Sequence, residues 1–216
     1  MAEEMTALGQ GALKAASASS TVRAGGMNLP NKLTIARLVL TVVFLALFFS
    51  QFRYGDTCAL FVFAVASLTD YFDGKIARRD GLITNFGILM DPLADKILIC
   101  SAFIAFVGRG LMPAWMVVII VARELAITGL RLLAATKQLV IAAEKYGKHK
   151  TISQIVATIS ILVLISYPEW GSWTGVFFDW WVPYFTELSK WVSVILTGIS
   201  GAIYLWRNRG LYLDDR

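Results

Sequence analysis

Long apolar runs separated by short polar links dominate the pattern along the chain. A helix needs about 20 residues to cross ~30 Å of hydrocarbon, so each run of that length with few charges is a candidate span. Six are found: about Leu33 to Phe52, Asp56 to Arg78, Phe86 to Val107, Met112 to Ala135, Thr151 to Ser166, and Leu188 to Trp206. The pattern predicts an all-α fold, a polytopic membrane bundle of six transmembrane helices with both ends on one side. Residues 1–26, rich in Ala, Ser and Gly, read as a disordered leader, with Met27 an alternative start and 27–216 the membrane domain.

Composition agrees with the pattern. Hydrophobic residues make up 57% of the 216 and charged ones 16%, against roughly 25% in an average globular protein. With a mean hydropathy of +0.64, too few charges remain to coat a water-facing surface, which excludes a disordered chain and disfavours a freely soluble one. The net charge of +5 would suggest nucleic acid in a soluble protein. In a bilayer it first suggests basic cytoplasmic loops beside anionic lipid, and no nucleic-acid partner is expected.

The loops bear this out. One side collects Lys32, Arg37, Lys75, Arg78, Arg79, the lysines from Lys137 to Lys150, Arg207 and Arg209; the other holds Arg53, Arg109 and Lys190. The positive-inside rule makes the first side, with both termini, cytoplasmic. The outer segment Tyr167 to Phe185 is crowded with aromatic rings that suit the headgroup level. Cys58 and Cys100 read as buried small hydrophobes, and His149, between two lysines, as a solvated loop residue.

Charges inside spans are costly, about 2.5 to 3.5 kcal/mol each on insertion scales. Asp70 and Asp73 near the end of the second span, and Asp91 and Asp95 near the start of the third, therefore call for partners. Spacings of three and four put each pair on one helical face, and the short link from Arg79 to Asn85 suits a hairpin that gathers all four below the cytoplasmic surface. Hard carboxylate oxygens without His or Cys fit two divalent cations, Mg²⁺ or Mn²⁺, as used in phosphoryl chemistry. The alternative is that the aspartates cap helices or pair with Lys75, Arg78 and Lys96.

The stretch DYFDGKIARRDGLITNFGILMDPLAD matches, without a gap, DxxDGxxAR, eight residues, GxxxDxxxD, and so resembles the CDP-alcohol phosphatidyltransferases. The resemblance implies a six-span bundle, usually a homodimer, with its active site open to the cytoplasm. It implies that Asp70, Asp73, Asp91 and Asp95 hold two metals, that Asp95 is also the base, and that Gly74, Ala77 and Gly87, with Asp73, lie against the cytidine nucleotide. Arg78 can place its planar fork on the pyrophosphate. Packing of small residues and snorkelling of Arg78 are the plain alternatives.

The stretches NLPNKLTIAR and VARELAITGLRLLAATKQLVIAAEKYGKHKTISQ are similar to bacterial phosphatidylglycerophosphate synthases of that family, although Gln138 replaces a frequent glycine. That implies CDP-diacylglycerol as donor, glycerol 3-phosphate as acceptor, and a bacterial inner-membrane location among membrane lipids. Arg123 deep in the fourth span, Arg131 two turns on, and Lys148 form a candidate basic pocket for the acceptor phosphate; Lys150 is a weaker candidate, and pairing of Arg123 with Glu124 is the alternative. The same transfer to inositol phosphate, serine or phosphatidylglycerol stays open at this point, as does a cation transporter.

Overall fold

The computed structural model describes residues 29–80, 85–136 and 146–210, with side chains described for 35–69, 96–134 and 149–210. Helices α1 (Leu29–Phe48), α2 (Gly55–Asp80), α3 (Asn85–Gly108), α4 (Ala114–Thr136) and α5 (Tyr146–Ser166) are followed by a 3₁₀ turn (Tyr167–Trp170), the short α6 (Thr174–Phe178) and α7 (Val182–Arg207). No strand occurs among the described residues, so the all-α expectation holds. His149–Trp170 and Val182–Arg207 are long and apolar enough to cross a membrane, and Ile35–Phe48, Gly55–Thr69 and Lys96–Gly108 are shorter apolar stretches.

The links are set by local chemistry. After α3 the chain closes with Gly110 N–H on Val107 O (3.0 Å) and Leu111 N–H on Phe106 O (2.9 Å). This is a Schellman closure, and it needs the left-handed conformation that Gly110 adopts at φ +70°. Between α1 and α2, a Cβ at Gly55 would stand 2.8 Å from Ser50 Oγ and 3.1 Å from Leu47 O, so only glycine lets the turn fold this tightly.

An aromatic core fills the end of the bundle where these links lie. Phe44 stacks on Phe48 and meets Phe63, while Phe48 also meets Phe106 edge-on, with ring centroids 5.6–5.7 Å apart. All four rings are buried. Arg109 closes this end: it pairs with both oxygens of Asp56, donates to Phe48 O at 3.2 Å and lies 4.7 Å above the Phe48 ring. The Asp56 hydrogen bond holds the Arg109 pKa above its ordinary value.

A polar seam joins the antiparallel α5 and α7. Ser160 and Ser189 hydroxyls meet at 2.7 Å, Thr186 Oγ1 donates to Ser160 O at 3.1 Å, and Gln154 Nε2 donates to Thr197 Oγ1 at 3.2 Å. Small hydroxyl residues let helices approach closely, and their bonds are made inside the seam.

Several expected boundaries move. Helix α1 stops at Phe48 because Ser50 turns both its N–H and its hydroxyl onto Leu47 O, at 3.1 and 2.7 Å. Helix α5 starts at Tyr146, so His149 is an exposed helical residue rather than a loop one. Helix α7 starts at Val182, with Pro183 in its first turn, because Glu187 stays exposed while pairing with Lys190 and so does not interrupt the helix. A charge-free criterion ends too early wherever a charge has a partner. Cys58 and Cys100 are half-buried free thiols, not fully buried ones. The leader and the Gln138 turn lie outside the described residues.

Candidate functional site

Asp70, Asp73, Gly74, Ala77 and Arg78 all fall on the second half of α2, and Gly87, Asp91 and Asp95 on the first half of α3. Each aspartate pair therefore sits on continuous helix, where positions three and four apart share a side. The side chains of 70–95, that of Lys148 and the link 81–84 lie outside the described residues, as does the expected meeting of the carboxylates. Among the described residues, no three His, Cys, Asp or Glu side chains gather into a metal-binding group.

What is described is the ground next to that motif. Lys96, the residue after Asp95, reaches α4: its Nζ bonds Thr128 Oγ1, approaches Glu124 O at 3.4 Å and stands 3.8 Å from Glu124 Oε2. Glu124 is 3% exposed. Its Oε1 takes Lys150 Nζ from α5, Arg123 Nη1 at 3.2 Å and Gln154 Nε2 at 3.4 Å. Gln154 in turn reaches Thr197 on α7. One carboxylate thus ties four helices together beside the aspartate motif.

The basic residues expected to meet an acceptor divide into different settings. Arg123 is mostly buried and pairs with Glu124, the alternative already recognised in the sequence, while its Nε is buried without a partner among the described residues. Its stem lies on the α7 backbone, since a Cβ at Gly201 would come within 2.7 Å of Arg123 Cγ. Arg131 is exposed; its Nε donates to Tyr204 Oη at 3.3 Å, and its guanidinium carbon lies 5.8 Å from that ring. Lys150, 5% exposed, is committed to Glu124, whose charge offsets the cost of burying it.

Gln154, Thr197 and Tyr204 were not foreseen as parts of this region, and Glu124 only as a partner of Arg123. Signals existed for two of them: an acid inside an apolar run needs a partner, and Lys150 and Gln154, four apart, share a helix face. Nothing local marks Thr197 or Tyr204, which are brought in by the packing of α7.

Comparison with known proteins extends these observations. The family model described as CDP-alcohol phosphatidyltransferase matches residues 27–197. The chain is 38% identical over 199 residues to the CDP-diacylglycerol--glycerol-3-phosphate 3-phosphatidyltransferase of Bacillus subtilis (strain 168), covering 84% of this chain and 95% of the relative. It is 35% identical over 177 residues to the protein of the same name from Rickettsia typhi, covering 82% and 94%. A probable phosphatidylglycerophosphate synthase of Mycobacterium tuberculosis is 46% identical over 145 residues, covering 66% and 68%.

Proposed function

The chain belongs to the CDP-alcohol phosphatidyltransferase family, and from that premise we propose that it transfers the phosphatidyl group of CDP-diacylglycerol to glycerol 3-phosphate, forming phosphatidylglycerophosphate and CMP. The observation that carries this reading is the near full-length similarity to relatives bearing that activity in their names. The setting is a bacterial inner membrane crossed by six helices, α1 to α5 and α7, with both termini and the site on the cytoplasmic side and a second copy completing a homodimer. Four helices pinned by one buried polar group, beside a motif rich in carboxylates, are consistent with a site held inside a bundle.

The donor set fits divalent cations, since four carboxylates on two helices offer hard oxygens. Members of the family use such ions. Asp70, Asp73, Asp91 and Asp95 would hold two, Mg²⁺ or Mn²⁺, which when bound neutralise charge on the donor pyrophosphate. Asp73, Gly74, Ala77 and Gly87 form the surface for the cytidine nucleotide, small enough for close approach, and Arg78 binds phosphate oxygens with its fork. Arg123, Arg131 and Lys148 hold the acceptor's phosphate and leave its primary hydroxyl free.

Asp95 accepts the proton of that hydroxyl as its oxygen attacks the lipid-side phosphorus. The new P–O bond forms in line with the bond that breaks, and CMP leaves with the electron pair. The chain needs no Ser, Cys or His nucleophile for this, so direct transfer with inversion is the expected course. Purified protein given labelled CDP-diacylglycerol and a panel of alcohols tests the assignment. CMP release is expected with glycerol 3-phosphate; product only with inositol phosphate, serine or phosphatidylglycerol would replace the acceptor.

A further inference from the structure

Glu124 is surrounded by cations from three helices, Lys96 on α3, Arg123 beside it on α4 and Lys150 on α5. A buried ionic group is a poor way to gain stability, because well-packed apolar residues do as well or better; its best-attested use is to fix register. The chain neighbours of these cations show what register is at stake. Lys96 follows Asp95, Arg123 is itself a proposed acceptor ligand, and Lys150 lies two residues past Lys148.

We propose that Glu124 is a positioning residue for the acceptor alcohol: it holds the Arg123 guanidinium, the middle of α3 and the start of α5 in one register. This rests on reading Arg123, Arg131 and Lys148 as the site of the acceptor phosphate. Arg123 has little other guidance. Its stem lies against Gly201, where even a Cβ would be 2.7 Å away, and its described hydrogen bond is the one to Glu124 at 3.2 Å. Gln154, bonded to both Glu124 and Thr197, keeps the carboxylate itself from turning. Remove the charge of Glu124, and Arg123 and Lys150 lose their shared counter-ion and repel each other.

The test compares full-length wild type, Glu124→Gln and the double variant Glu124→Gln/Lys150→Met, reading Tm, kcat and the KM of each substrate. Glu124→Gln should lower Tm, and Lys150→Met should return most of it by removing an unpaired buried cation. The KM for glycerol 3-phosphate should stay raised by about ten-fold or more in both variants, with that for CDP-diacylglycerol within about two-fold of wild type. Recovery of the acceptor KM together with Tm would reduce Glu124 to a structural role, as would equal rises in both KM values. Because KM does not depend on the folded fraction, the split decides the matter even if Tm does not recover. Wild type that uses another alcohol but not glycerol 3-phosphate would overturn the acceptor assignment instead.

Discussion

Glu169 caps helix α2 from more than a hundred residues away, its Oε2 accepting the Thr57 N–H at 2.9 Å. The other oxygen accepts the Asp56 N–H at 3.2 Å, and the Thr57 hydroxyl donates to Oε2 at 2.5 Å while receiving Trp170 Nε1 at 2.9 Å. The first N–H groups of a helix have no partner within it, and a carboxylate there also meets the positive end of the helix dipole. Glu169→Ala should therefore cost about 1–3 kcal/mol. Thermal unfolding in detergent should show Tm lower by about 2–4 °C per kcal/mol, with KM values unchanged. An unaltered Tm would mean that water replaces the cap at no cost.

How much of this was legible in the sequence follows from the range of each interaction. The helices and the aspartate motif were readable because hydropathy and spacing are local. Glu169 was not, since nothing in YPEW says that its acid will cross to α2; only the docking of the 3₁₀ turn beside Gly55 brings it there. The same holds for Tyr204 against Arg131. Glu124 lies between: an acid in an apolar run announces a partner, yet the neighbouring Arg123 looks sufficient until α3 and α5 are seen to add Lys96 and Lys150.

Asp95→Asn keeps the size of the side chain and removes its negative charge and basicity. Turnover should fall by about 10²–10⁴-fold or more with every acceptor alcohol, since the base serves the reacting hydroxyl and not its substituents. In the metal-free protein the Tm should stay near that of wild type or rise, because one of four clustered acids is neutralised. Loss of activity with only one acceptor would place Asp95 outside the reaction centre.

Chelation separates a metal-dependent site from aspartates that serve as caps or ion-pair partners. Dialysis against EDTA should abolish CMP release, and Mg²⁺ or Mn²⁺ should restore it. The acids repel one another without the cations, so added metal should also raise Tm, an effect that Asp70→Asn and Asp91→Asn each weaken. Full activity in the chelated protein would contradict the assignment of all four aspartates.

Arg131 separates binding of the acceptor from chemistry at the donor. It is exposed, yet Tyr204 orients it by a hydrogen bond at 3.3 Å and by a ring 5.8 Å from its guanidinium carbon. Tyr204 itself is 3% exposed, so this support is fixed by the packing of α4 on α7. A charge-assisted bond to phosphate contributes about 1.5–3 kcal/mol, so Arg131→Ala should raise the KM for glycerol 3-phosphate by roughly 10- to 150-fold. The KM for CDP-diacylglycerol should hardly move, because Arg131 is assigned to the other substrate. Tyr204→Phe keeps the ring and loses only the hydroxyl, so it should show the same selectivity with a rise of less than about 10-fold. Steady-state kinetics with each substrate varied in turn measures both. A larger effect of either variant on the donor KM would move Arg131 from the acceptor phosphate to the pyrophosphate.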